Sequence, residues 1–262
     1  MKKSISILFV ALISQTAVAM QPVNESLYKL IAKEDAESRV NRQVCSLEGY
    51  QKLLFEEQLY YALQLHDTAS VMKTEEMALQ SLIKTTEDFP NEWLGFYWVA
   101  HLYGQVGRLF KDNDKFISYV EYAYQNLKMA EQLNSNPTQE DKSELLVLES
   151  LLNRLHAFTF FNPRTGIDID KEESKRHIDL SLGLLKQAEE AYPYNPRVFL
   201  QKGIVSTMDA QYEKAISEFR QSIALFESKD SVSKIYPNWG KVWLATWLPR
   251  AEKLLAESRN KY

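Results

Sequence analysis

The chain has 262 residues, 45% of them hydrophobic and 25% charged, with a formal net charge of −4 at pH 7. That apolar share excludes a disordered chain, and one cysteine excludes an internal disulfide framework. With only 8 Gly and 8 Pro, turn formers are scarce, which favours long helices over a sandwich of short strands.

The N-terminus reads as an export address. Lys2 and Lys3 precede the run Ile5 to Ile13, apolar except for Ser6, and Ala17-Val18-Ala19 supplies the small residues of a cleavage site. Nine helical residues span about 14 Å against roughly 30 Å of hydrocarbon. A signal peptide over 1–19, cleaved after Ala19, is therefore expected rather than an anchor. No later stretch reaches 18 uninterrupted apolar residues, so no membrane span is expected, and the mature chain is assigned to the periplasm or to secretion. Loss of two lysines leaves a more acidic chain, a poor footprint for nucleic acid. Cys45 would stand alone in an oxidising compartment: a buried, inert thiol is expected, with a bridge to another chain as the alternative.

Past the signal, apolar residues recur at helical spacing over 25–40, 46–64, 68–88, 92–109, 114–133, 140–159, 171–191, 196–208, 211–227 and 240–257. The breaks carry turn chemistry, as in Phe89-Pro90-Asn91, Asn134 to Pro137, Asn162 to Gly166, Tyr192 to Pro196 and Tyr236-Pro237-Asn238. Asn195 is placed to cap a helix whose first turn holds Pro196, where the missing N–H costs nothing. No alternating strand is recognised; Phe158 to Phe161, the best β-like run, is read as a helix end.

A 34-residue period organises these helices into pairs. Counted from Pro196, Phe199 falls at position 4, Gly203 at 8, Tyr212 at 17, Ala215 at 20 and Phe219 at 24. Gly203 and Ala215 are small where the two helices cross, and Phe199 and Phe219 fill the space beside them. One period earlier, Ser181, Leu185, Ala188 and Pro193 take positions 20, 24, 27 and 32. Further upstream, Ala78, Leu82 and Pro90 repeat the second-helix pattern. A unit then opens at Trp93, with Ala100 at position 8; its second helix (Ala123, Leu127, Ala130) is displaced by eleven residues. A degenerate unit begins near Ser143, with Leu146 at 4 and Ser150 at 8.

On these residues the chain resembles a divergent tetratricopeptide-repeat protein of the exported bacterial kind. Asn195-Pro196-Arg197-Val198-Phe199, Pro237 to Lys241 and Asn162-Pro163-Arg164-Thr165 match steps of a poorly characterised group of such proteins. The resemblance covers roughly 68–258. Relatives often carry a Gly-rich insertion where this chain has the plain turn Met208-Asp209-Ala210-Gln211. It implies an all-α fold: an α-α superhelix (a tetratricopeptide-like solenoid) of about four to five antiparallel helix pairs with a C-terminal capping helix. The chain then divides into a signal peptide (1–19), N-terminal helices (20–67), helical repeats (68–235) and the cap (236–262). In the cap, Asn238 is placed to start the helix, Trp243 and Trp247 to cover the end of the stack, and Pro249 to kink or restart it.

The resemblance brings no catalytic residues, and none is recognised in the sequence. His66, His101, His156 and His177 show no pairing at helical spacing with another His or Cys, and no HExxH is present, so no metal or other cofactor is expected. Asp168 to Glu173 holds four carboxylates but lacks the glycine of a calcium loop; an acidic helix start is the expectation. Phosphate loops, GxSxG and SxxK are absent. What remains is a groove. Positions 2, 5, 9 and 12 of each first helix should line a concave face, as the resemblance implies. They are Leu94, Tyr97, His101 and Gly104, then Glu144, Val147, Leu151 and Arg154, then Arg197, Leu200, Ile204 and Thr207. Tyr97, His101, Val147, Leu151, Arg154, Arg197 and Leu200 are the candidate partner-binding residues, since Tyr and Arg are the usual anchors for peptides. The expected function is a non-enzymatic scaffold binding a protein or peptide partner. A helical protein stacking its aromatics on a sugar or other small molecule is the alternative, and an (α/α) hydrolase with paired carboxylates the third reading.

Overall fold

The computed structural model describes residues 55, 58–65, 72–110, 112–162, 166–228 and 241–259. Every described residue belongs to one compact unit, Leu54–Tyr262. The expected signal peptide, the helix expected at 25–40, most of that at 46–64, Cys45 and the expected Asn238 cap lie outside the described residues.

Residues 58–65 are helical. After them come α1 (Met72–Asp88), α2 (Trp93–Gly107), α3 (Asn113–Leu133) and α4 (Gln139–Phe160), then β1 (Phe161–Asn162) and β2 (Ile167–Asp168), then α5 (Lys171–Ala191), α6 (Pro196–Met208), α7 (Tyr212–Glu227) and α8 (Lys241–Arg259). The pairs α2–α3, α4–α5 and α6–α7 pack most extensively, α1 packs on α2, and α8 on α7. The first helices α2, α4 and α6 also touch in succession. The described unit is thus all-α, built from antiparallel helix pairs laid side by side.

Local chemistry starts α3, α4, α5 and α6. Asp112 accepts hydrogen bonds from the Asp114 and Lys115 N–H groups ahead of α3. Thr138 and Asp141 form a capping box on α4. Asp170 accepts from the Glu173 N–H of α5, so this part of the acidic cluster serves the helix start. Asn195 accepts from the Arg197 N–H, with Pro196 in the first turn of α6. At the far end of α6 the chain reverses through a Schellman closure: Gln211 N–H donates to Ser206 O at 2.8 Å and Ala210 N–H to Thr207 O at 3.3 Å. That closure holds Ala210 at φ 58°, a left-handed conformation costing an L-residue about 1–2 kcal/mol.

The helix pairs meet as the 34-residue period predicts. A Cβ on Gly203 would lie 2.5 Å from Phe219 Cε1, so only glycine lets α6 approach α7 here. Ala215 and Ala100 are fully buried. In the α4–α5 pair the same two repeat positions hold Ser150 and Ser181, whose hydroxyls share a hydrogen bond of 2.7 Å. The displaced second helix of the α2–α3 pair still buries Ala123, Leu127 and Ala130. Its extra residues form the 108–112 connection and lengthen α3 to 21 residues.

Two expectations need correcting. The run at Phe158 to Phe161 is helical through Phe160, but β1 then pairs antiparallel with β2, Phe161 opposite Asp168 and Asn162 opposite Ile167. This ladder closes the long α4–α5 connection, and Ile169 and Asp170 N–H both return to Phe160 O. In α8 the helix runs on through Pro249 rather than restarting there. Ala245, whose carbonyl loses its partner, and Pro249 both face solvent, so water can satisfy the freed group.

Candidate functional site

Apolar residues dominate the first helices α2, α4 and α6, yet polar side chains recur on the faces they turn to one another. Glu144 of α4 is the centre. It accepts from Tyr97 Oη of α2 at 3.0 Å and from Arg197 Nη1 of α6 at 2.5 Å, so one carboxylate ties three successive first helices. The flank continues the polar contacts: Asn195 Nδ2 donates to Ser143 Oγ at 3.0 Å, and Ser143 Oγ to the Ala188 carbonyl at 2.9 Å. Further along α4, Arg154 Nη2 donates to Gln201 Oε1 of α6 at 2.7 Å.

Electrostatics follow from burial. Loss of water pushes the Glu144 carboxyl up, and Arg197 and the Tyr97 hydroxyl oppose that. The Tyr97 phenol is held well above its ordinary range, first by burial and then by the Glu144 charge. Burial, aided by the positive charge of Arg108, brings Arg154 down to about 9. Arg154 makes no ion pair with a carboxylate among the described residues.

The seven residues expected to line an open groove are therefore placed elsewhere. Tyr97, His101, Val147, Leu151, Arg154, Arg197 and Leu200 are each no more than 4% exposed. Tyr97, Arg197 and Arg154 belong to the polar contacts between first helices. His101 packs edge-on to Trp98, with ring centroids 5.6 Å apart. Val147, Leu151 and Leu200 are core. The structure brings the residues together in one layer, as the repeat positions indicated, but in its interior. The physical reason is contact between the first helices themselves: Gly104 sets α2 so close to α4 that a Cβ there would meet Leu152 and Leu155 at 3.0 Å.

A second cluster escaped sequence reasoning. His156 of α4 and His177 of α5 lie ring to ring at 4.3 Å between centroids, with Phe160 stacked on His177 at 5.7 Å and Tyr124 beside His156 at 6.1 Å. His177 Nδ1 is 3.1 Å from Asn153 Oδ1 and Nε2 is 3.4 Å from a Glu173 oxygen. Burial lowers both imidazole pKa values; the neighbouring His177 charge acts further on His156, and Arg176 on His177. Neither residue has a His partner within its own helix, which is where a motif search looks. The usable signal was hairpin register. Setting Ser150 against Ser181 and counting six residues towards the connection brings His156 opposite Lys175, within two residues of His177. Among the described residues, no group of three or more His, Cys, Asp or Glu side chains is placed to hold a metal ion, and no helix is long and apolar enough to cross a membrane.

No family model matches the sequence, and no curated protein matches it. In fold the chain is similar to a solved thermophilic TPR protein of Thermus thermophilus, at 18% identity and a TM-score of 0.49, over 79% of this chain and 97% of that chain.

Proposed function

We propose that this chain is an exported, non-enzymatic helical-repeat scaffold that binds a protein or peptide partner on the concave side formed by its first helices. The observation that carries the reading is the fixed layer made by α2, α4 and α6, in which Glu144 joins Tyr97 and Arg197 across three repeats. A layer locked at its core offers a preformed surface, and preformed surfaces bind without the entropy cost of ordering. The seven buried residues then set the shape of the face, and half-buried positions such as Leu94 make the contact.

A photo-crosslinking residue at Leu94, compared with one at the exposed Glu121 of α3, tests the reading in the native envelope fraction. Capture of one discrete partner from Leu94 and not from Glu121 is expected; equal capture, or capture from Glu121 alone, sinks the concave-side assignment. Export is tested separately: the N-terminus of the protein recovered from periplasm or medium should be Met20, and an uncleaved chain in the cytoplasm contradicts it.

A further inference from the structure

A solvent-open depression runs along α5, a second helix of its pair. It is a cleft of about 750 Å³ whose long wall is one face of α5, from Glu172 to Gln187, and whose floor includes Glu149 and Asn153 of α4. Those fifteen steps of helix run about 22 Å, the length of four turns of a partner helix. At its middle the wall is apolar and open. Leu180 is 44% exposed, Leu184 follows one turn on, and Gly183 between them has no atom within 4 Å of where a Cβ would stand. A leucine that exposed on a helix otherwise rich in charge leaves apolar surface in water, which burial against a partner would remove.

The charges around this stripe are unbalanced. Both cations of the cleft are already held on their own helix: Lys175 by Asp179 at 2.6 Å, Arg176 by Glu173 at 2.5 Å. Glu149, half-buried, and Glu172, exposed, have no cation within ion-pair distance among the described residues. Glu131 of α3 adds a further negative charge: after partial burial, it is what pushes the Glu149 carboxyl up, and Glu131 is itself raised by burial. Acids lacking cations beside an apolar stripe are complementary to lysine or arginine brought by another molecule. The net charge of −4 makes a second copy of this chain the poorer fit, because like-charged surfaces repel.

We propose that this cleft docks an amphipathic helix of a partner protein, with leucine-type side chains laid along Leu180, Gly183 and Leu184 and flanking lysine or arginine side chains set against Glu149 and Glu172. The cleft is walled by α5 and takes Glu149 and Asn153 from α4 but includes none of the seven buried residues of the first-helix layer, so the inference stands apart from the concave-side reading.

Two synthetic sixteen-residue helical peptides test it. Both carry leucine at positions i, i+3, i+4 and i+7; one has lysine and the other glutamate on the flanks. Titrated into the mature protein and followed by fluorescence anisotropy, the lysine peptide should bind at least tenfold tighter than the glutamate peptide and weaken with added salt. Leu180→Asp should cost tenfold or more, with Leu180→Gln as the milder second variant, and circular dichroism should show both folded because the side chain is exposed. Glu149→Lys combined with Glu172→Lys should invert the preference between peptides. Equal binding of both peptides, no binding of either, or a preference that survives the charge reversal overturns the proposal. So does a dimer in sedimentation velocity that Leu180→Asp dissolves, since the face is then a contact between copies of this chain.

Discussion

Gly203 is the position where a single atom has the largest leverage. Within a helix interior, replacing glycine by alanine ordinarily gains about 1 kcal/mol of propensity. Here the added Cβ would stand 2.5 Å from the Phe219 ring, and both residues are buried in the α6–α7 interface. Overpacking costs of about 1–3 kcal/mol then outweigh the propensity gain. Gly203→Ala should lower stability in urea denaturation by up to about 2 kcal/mol, and Phe219→Leu in the same chain should make that substitution less damaging than it is alone. If the two effects simply add, the Gly–Phe contact is not what fixes glycine there. At Arg197 the decisive quantity is charge. Arg197→Met leaves Glu144 buried beside Tyr97 without its cation, and stranding one member of a buried ion pair costs about 3–5 kcal/mol. The double change Arg197→Met with Glu144→Leu should be less damaging than Arg197→Met, because removing both charges removes the desolvation penalty as well. Thermal unfolding of the two variants side by side checks the order.

At the level of elements, the α4–α5 pair carries a pH dependence of its own. His156 and His177 face one another, with Tyr124 from α3, Phe160 and Asn153 from α4, and Glu173 and Arg176 from α5 around them. Both imidazoles have folded-state pKa values below the ordinary one. The unfolded chain therefore binds protons more readily, and the stability contribution is complete above the unfolded value of about 6.5 and is lost as pH falls below it. The melting temperature should be flat from pH 8 to 7 and decline from about pH 6.5 to 5. Replacing His156 by Phe and His177 by Gln should remove that decline, leaving only the carboxylate-driven loss at lower pH; an unchanged profile would assign the slope to other groups. The same pair shows why elements were legible and some contacts were not. Boundaries of α5 and α6 follow from Asp170, Asn195 and Pro196, local signals that fix a helix start within its own first turn. The meeting of His156 with His177, and the β1–β2 ladder beside it, depends on how two helices register after a long connection. Periodicity within either helix does not contain that information.

For the whole molecule, the repeat period placed the right residues in one layer but misjudged how deep in that layer they lie. Small residues such as Gly104 draw α2 onto α4 and close the face that Tyr97, His101 and Arg154 were expected to present; composition at single positions cannot show how near a neighbouring helix will come. The terminal helix is the converse case, where the expected role survives in the packing. α8 lies on α7, buries Leu244 and Ala251, and half-buries Trp243, Trp247 and Leu255 against the core. Arg108 stacks on the Trp243 ring at 4.9 Å and Arg250 on that of Trp247 at 5.2 Å. The outward side is polar: Glu252, Lys253 and Glu257 are exposed. In a stack of repeats, stability is the sum of the units and of the interfaces between neighbours, so removing the last element deletes one interface and leaves the others in place. Truncation after Ser228 should therefore expose the α7 surface, lower stability by about 3–6 kcal/mol on the scale of two or three buried apolar side chains, and raise binding of a hydrophobic dye. Helix content measured by circular dichroism should fall by no more than the residues removed. A truncated chain with unaltered melting temperature and no dye binding would show that α8 is an appendage and that the stack ends at α7.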